Sequence, residues 1–313
     1  MSESAAPTAA IPQSDPHTIA ARRDALVAGL AHATGDTLHD AALAVLAECG
    51  VDAKRSALQE LLAAVAAGHH APNAASGVRA GPDTPGRPAR PALVPPKALK
   101  QRRLGSAEGR AALLHAVAHI EFNAINLALD AVQRFTGLPP EYYADWLSVA
   151  DDEARHFELL TGRLQELGFA YGDFPAHDGL WQMARVSADA PLVRMALVPR
   201  LLEARGLDVT PPMMARLIHV GDQRSADCLA VILAEEVRHV AIGSRWYAYL
   251  CDAAGLEPQA HFARLLSERA PGAVRSPLNE QARLLAGFSE SELQELTRAG
   301  TERESGTPNT RGH

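Results

Sequence analysis

Apolar residues recur three and four positions apart along most of the chain, and the breaks in that rhythm divide it into segments. Ile19, Leu26 and Leu30, then Leu43, Leu46, Leu58, Leu61, Leu62 and Val65, follow the helical period, with Gly50 interrupting it. Residues 17–70 are therefore expected to form successive short helices. Residues 1–16, rich in Ala, Ser and Pro, read as a mobile tail. PNAASGVRAGPDTPGRPARPALVPP, residues 72–96, cannot hold a helix, because proline removes amide donors and clashes with the preceding turn. Residues 71–104 are accordingly expected to be a linker, or a strap lying across the rest.

Four long helical patterns follow. The first covers residues 107–135 and stops at Gly137 and the Pro139-Pro140 pair; the second covers 141–167, ending before Gly168. The third runs over 191–205 and is closed by Gly206; after a shorter stretch at 212–219, the fourth covers 222–250. Residues 258–296 are more loosely helical and 301–313 read as a polar tail. Period-two alternation is nearly absent, so the class is all-α. The segments predict a bundle over 105–251 with helical extensions at 17–70 and 252–300.

Acidic residues on the apolar faces carry the candidate chemistry. Glu121 shares a face with Val117, Ala118, Ala124, Ile125 and Ala128; Glu153 and His156 lie among Trp146, Val149, Ala150, Phe157 and Leu160. Glu203 is in line with Leu192, Ala196 and Pro199, while Glu236 and His239 repeat the second pattern among Leu229, Ile232, Leu233, Val240 and Gly243. A carboxylate among aliphatic neighbours is costly unless it is paired, protonated or bound to a cation. Composition predicts about one chance Glu-x-x-His and the sequence has two, so the motif alone is weak. The intervals weigh more: Glu121 precedes Glu153 by 32 residues and Glu203 precedes Glu236 by 33. Two hairpins, each with one Glu and one Glu-x-x-His, joined by one long crossover, form the pattern of a ferritin-like antiparallel four-helix bundle holding two metal ions. Four carboxylates and two imidazoles suit two iron ions, with manganese or a mixed Fe/Mn pair as variants. The competing reading makes Glu153 with Arg155, and Glu235 and Glu236 with Arg238, solvated ion-pair sets. Glu235 also lies one turn from His239, but symmetry with Glu153 and His156 favours Glu236.

Residues 86–286 resemble a bacterial family of uncharacterised ferritin-like proteins. The resemblance is carried by GRPARPALVPP, LLHAVAHIEFNAINLALD, DDEARHFELL, YGDFPAHDGLW, LVPRLLEARGLDVTPP and EEVRHVAIGSRW. The family is similar in its metal motif to a tRNA-modifying di-iron hydroxylase. The resemblance implies the fold and the six ligands, and assigns no substrate.

Other residues invite roles of their own. His115 and His119, one turn apart on another side of the first long helix, are candidates for a substrate-side base or for interface hydrogen bonding. Asp145, Asp152, Asp222 and Asp227 are candidate partners for the outer nitrogens of the two imidazoles. Phe122, Phe157 and Trp246 are candidate pocket walls. Residues 171–181 gather Tyr171, Phe174, His177, Asp178 and Trp181 into either a lid over the site or a plug at the bundle end. Arg87, Arg90, Lys97, Lys100, Arg102 and Arg103 form a basic stretch over 87–103. It offers the one route to RNA phosphate, but it lacks interleaved aromatics and reads better as a solvated strap.

Composition limits the partners. The chain has 313 residues, 47% hydrophobic and 21% charged, enough for one large domain with extensions or two small ones. Net charge is −7 and the isoelectric point about 6.0, which disfavours nucleic acid as a default partner. No secretory signal pattern opens the chain, and no run approaches the ~20 apolar residues of a membrane helix. Cys49, Cys228 and Cys251 form no CxxC pair, so a cytoplasmic protein with reduced thiols is expected. The leading expectation is an O2-dependent di-iron oxygenase or hydroxylase, acting on a small molecule or modified nucleoside and supplied by an external electron donor. No flavin or nicotinamide fingerprint is present. The alternatives are a ferroxidase or peroxide- or iron-handling protein, and a non-catalytic metal-stabilised interaction module; a homodimer is left open.

Overall fold

A computed structural model describes residues 15–35 and 37–306; the tails expected before and after these lie outside the described residues. The fold is all-helical apart from one pair of two-residue strands. Helices α1 (Pro16–His32), α2 (Leu38–Ala47) and α3 (Val51–Ala66) precede strand β1 (Gly77–Val78). Then come α4 (Ala107–Arg134), strand β2 (Phe135–Thr136), α5 (Pro140–Glu166) and α6 (Gly179–Val186). Helices α7 (Pro191–Leu197), α8 (Ala204–His219) and α9 (Gln223–Ala253) lead to α10 (Pro258–Arg269), α11 (Glu280–Leu285) and α12 (Glu290–Gly306).

The helix ends follow local chemistry. Ser106 accepts from the Gly109 amide at 3.1 Å to cap α4, and Asp222 does the same for Ser225 on α9 at 3.1 Å. Pro140 and Pro191 occupy first-turn positions, where no amide donor is needed. Gly137, with φ 73°, turns the chain between β2 and α5.

The third pattern and the short stretch after it depart from the sequence expectation, whereas the fourth is α9 within about three residues. Gly206 does not end a helix: α7 passes through a π-helical turn, Val198–Glu203, directly into α8, which carries Pro211 and Pro212 internally. Pro199 has no amide to donate, and the chain absorbs an extra residue there. Pro211 likewise cannot bond the Leu207 carbonyl, and Asn279 Nδ2 takes its place at 3.1 Å. A tertiary hydrogen bond thus sustains a helix that local rules would break.

Three contacts show that α5 and α9 run antiparallel. Asp145 meets Trp246, Asp152 meets His239 and His156 meets Glu235, each contact lying one step further in opposite directions. Helix α4 lies antiparallel to α5, with Tyr143 Oη donating to the Phe135 carbonyl at 3.1 Å and the Phe122 and Phe157 rings 5.5 Å apart. From Glu121 to Arg134 every residue of α4 is buried. By length and composition α4 could cross a membrane, although His, Glu and Asn interrupt its apolar run. In this fold 78% of its most apolar stretch is buried inside the protein.

The residues between α3 and α4 are pinned to the helices. β1 pairs with β2, Trp181 Nε1 donates to the Asp83 carbonyl at 2.8 Å, and the Gly86 amide reaches the Leu46 carbonyl at 2.9 Å. Further along, the Val94 amide donates to Ala176 and the Ala176 amide to Ala92.

Gly243 on α9 faces Pro199 so closely that an added Cβ would lie 2.2 Å from the proline Cβ. Gly243→Ala gains roughly 1 kcal/mol of helix propensity, but overpacking against a stiff ring costs about 1–3 kcal/mol. The variant should therefore unfold at lower urea concentration than the parent, with an unchanged slope.

Candidate metal centre

The helix pairs bring the sequence-predicted acids and imidazoles into one interior region. Glu121 comes from α4, Glu153 and His156 from α5, Glu236 and His239 from α9, and Glu203 from the last residue of the π-helical turn. One ligand atom from each of Glu121, Glu153, His156 and Glu236 lies within 4.8 Å of the others, a group able to hold a metal ion. His156 Nδ1 is 3.4 Å from Glu121 Oε2, 3.4 Å from Glu153 Oε2 and 4.0 Å from Glu236 Oε1. His239 Nδ1 is 3.0 Å from Glu153 Oε1 and 3.5 Å from Glu236 Oε1. His239 and Glu203 stand outside the tight group of four; Glu203 Oε2 is buried and makes no hydrogen bond among the described residues.

These atoms fit a cation better than they fit each other. Glu153 Oε1 and His239 Nδ1, though adjacent, are buried without a hydrogen bond. Burial and neighbouring carboxylates hold Glu121, Glu203 and Glu236 above the usual carboxyl range. Burial opposes ionisation of Glu153 too, but the two imidazoles beside it win and pull it down. Burial would lower both imidazoles, yet the surrounding carboxylates raise them well above the usual histidine value. Carboxylates crowded into an apolar interior require protons or metal to neutralise them.

The outer nitrogens reveal a layer that the sequence reading only partly reached. His156 Nε2 bonds Glu235 Oε2 at 3.0 Å, and His239 Nε2 bonds Asp152 Oδ2 at 3.1 Å. With a proton on each Nε2, both Nδ1 lone pairs point inward. Each partner acid immediately precedes the inner Glu of the opposite helix, so the two motifs lock each other reciprocally. Arg155 bridges Asp152 and Glu235, at 2.8 Å from the latter, while Arg238 binds Asp152 and, at 3.2 Å, Ser148. Burial notwithstanding, these contacts depress both outer acids, Glu235 to about 2. Of the four proposed partners only Asp152 serves, and Glu235, considered only as a rival ligand, is the other. The signal was present as a repeat: Asp-Glu-x-Arg-His at 152–156 and Glu-Glu-x-Arg-His at 235–239.

The remaining candidates have other duties. Asp145 binds Arg23, Arg245 and Trp246; Asp222 caps α9 and binds Arg110 and Arg163; Asp227 accepts from Gln223. His115 Nε2 accepts from the Gly172 amide at 2.9 Å, and His119 Nδ1 meets Tyr171 Oη at 2.8 Å. Burial pushes both imidazoles down to about 4, so they are neutral. The loop carrying Tyr171 therefore packs on the His115 side of α4, where Tyr171 also meets Phe122 and Phe157. Phe122 and Phe157 line a cavity of about 60 Å³ together with Lys54, Leu58 and Ile125. Trp246 does not join them; it packs between Tyr142 and Tyr249. Of the basic stretch, Arg90 bonds the Gly172 carbonyl and Asp173, and Arg102 bonds Glu108 and covers the Phe174 ring.

Comparison with known proteins covers the whole site. Residues 48–294 match the family described as "Protein of unknown function (DUF455)". An uncharacterized protein of Haemophilus influenzae is 45% identical over 213 residues, covering 66% of this chain and 74% of that relative. No solved structure matches. The six inner residues and the two outer acids all fall inside the family match, whereas α1 lies outside it.

Two outcomes follow from the geometry. Glu235→Gln keeps the shape but removes the charge behind His156, and should weaken metal binding about 10–100-fold, read by competition with a chelator. In the metal-free chain Glu121, Glu203, Glu236, His156 and His239 all hold protons more tightly than usual. Metal loading must expel those protons, so apparent affinity should fall as pH falls, with net proton release detectable by calorimetry in buffers of differing ionisation enthalpy.

Proposed function

This chain belongs to the DUF455 family, and we propose that it is a di-iron carboxylate oxidoreductase of the O2-dependent hydroxylase kind, built on a ferritin-like four-helix bundle. In this reading α4, α5, α9 and the helix running from α7 through the π-helical turn into α8 are the four helices. The observation that carries it is the set of unsatisfied inward atoms, Glu153 Oε1, His239 Nδ1 and Glu203 Oε2, among carboxylates too crowded to ionise together. Glu121, Glu153, His156, Glu203, Glu236 and His239 would hold the two ions, with iron preferred and manganese as the variant. When bound, such a pair supplies reduction of dioxygen to an oxidant able to attack a C–H bond.

The protein's own contribution is positional. Asp152 and Glu235 fix the imidazole rings and their tautomers, while Arg155 and Arg238 keep those acids ionised. The cavity of about 60 Å³ lined by Phe122, Phe157 and Ile125, with exposed Asp52, Arg55 and Glu158 also in its wall, is small, suited to dioxygen rather than to an organic substrate. Room for a substrate lies beneath α1: a cavity of about 390 Å³ reaches Glu235 and Arg238, and another of about 310 Å³ reaches Ser148 and Asp152. Both are walled mainly by aliphatic side chains of α1 and its neighbours, which favours an apolar substrate entering on that side.

The 60 Å³ cavity also favours a second reading, ferroxidase or peroxide reduction with no organic substrate. Protein purified without chelators is expected to carry about two iron or manganese ions per chain, lost in Glu153→Ala and Glu236→Ala. Less than one ion per chain, unchanged in those variants, would sink both readings. Dioxygen uptake by the reduced protein that ends in hydrogen peroxide or water, with no oxygen incorporated into any co-purified compound, would select the second.

A further inference from the structure

A chain with only three Trp and five Tyr joins Trp146, Tyr142, Trp246 and Tyr249 in one continuous file, with Tyr143 as a side branch 5.4 Å from Tyr142. Ring centroids are 6.4 Å apart between Trp146 and Tyr142, 5.3 Å between Tyr142 and Trp246, and 5.3 Å between Trp246 and Tyr249. The first three rings are buried, and Tyr249 is 45% exposed. Trp146 lies seven residues before Glu153 on α5, and Trp246 seven after His239 on α9. At 1.5 Å per residue both lie about 10 Å along their helices from those ligands, and the antiparallel packing puts them at the same end of the site.

We propose that this file is a relay carrying single oxidising equivalents from the metal centre to the surface at Tyr249, where an external one-electron reductant quenches them. The relay rests on the redox reading above. Packing alone does not account for the residue types: Trp146 Nε1 and Tyr142 Oη are buried with no hydrogen-bond partner among the described residues. That desolvation would be avoided by phenylalanine at either position. Phenylalanine, however, cannot be oxidised at accessible potentials.

Exposure gives the relay its direction, since of the four rings Tyr249 alone is exposed. Trp146 would give one electron to an oxidised metal pair held by the six inner residues and, with no base on its Nε1, would be left as a cation radical. Trp246 reduces it across the Tyr142 ring. Asp145 Oδ2 accepts the Trp246 Nε1–H at 2.8 Å and fixes that ring, while Arg23 and Arg245 pair with the same carboxylate and offset its charge. Tyr249 then gives its electron to Trp246 and its phenolic proton to water. The external reductant returns the electron, and water returns the proton. The sum is one electron moved from reductant to centre, with every side chain restored.

The relay is tested in the full-length, metal-free protein by nanosecond ultraviolet photoionisation of its indoles, followed by transient absorption. In the parent, the indole-radical signal should decay into a phenoxyl signal at a rate independent of protein concentration. Tyr249→Phe, a change at a half-exposed ring, should slow the indole decay by an order of magnitude or more and remove the phenoxyl signal. Trp181→Phe, off the file, should leave both unchanged. Absence of intramolecular transfer in the parent, or transfer that survives Tyr249→Phe, overturns the relay. Iron-binding protein without transfer loses the relay alone, whereas transfer in a chain that binds no metal keeps the relay's connectivity and removes the centre it serves.

Discussion

Concentrated charge inside an apolar interior is the constraint around which this structure is arranged. Four carboxylates and two imidazoles converge where water is scarce, and each unpaired charge there costs several kcal/mol. The protein answers from outside with Asp152, Glu235, Arg155 and Arg238, and from inside only with the histidines. The outer answer works only if α5 and α9 lie at one register, because His156 must meet Glu235 while His239 meets Asp152. A slip of one residue turns a helix side chain by about 100° and breaks both bonds together. Helix register and charge satisfaction are therefore a single requirement.

The rest of the fold holds that register. Gly243 lets Pro199 approach α9, and the π-helical turn that contains Pro199 ends at Glu203. Local irregularity at a helix interior is thus coupled to the placement of an inner acid, as π-turns at functional positions often are. On the opposite side, the residues after α3 and the loop carrying Tyr171 bond each other through Ala92, Val94 and Ala176. They seal the His115 and His119 face of α4 with neutral imidazoles, His115 held through its Nε2 and His119 through its Nδ1. Lys54 illustrates a second buried charge handled differently: it bonds the Leu46 carbonyl in the last turn of α2 and Asn126 on α4, and burial lowers it to about 8. A cation at a helix C-terminus meets a partial negative charge without a counter-ion.

The proposed hydroxylase reading gives these features a common purpose. A small cavity lined by Phe122 and Phe157, larger cavities under α1 and a file of oxidisable rings to the surface are separate observations. Dioxygen access, substrate access and electron supply are the three traffic problems such a centre poses. The family match places the inner and outer residues within one shared sequence and leaves α1 outside it. Under this reading, variation in α1 would alter the substrate side while the centre stayed the same.

By itself, the sequence determined the helical class, the bounds of α4, α5 and α9 to within a few residues, and which acids lie on apolar faces. Those properties follow from periodicity and caps, which are local. It also held the repeat of an acid before each inner Glu and an Arg before each His, although its meaning was hidden. Only the tertiary structure decided that these acids pair crosswise, since a reciprocal contact depends on the relative level of two helices nearly 80 residues apart. Nor could local rules foresee an unbroken passage from α7 through Gly206, Pro211 and Pro212. The bond that repairs the missing proline amide comes from Asn279, more than 70 residues later. Spacing along one helix fixes which side chains share a face; what that face meets is fixed only by packing.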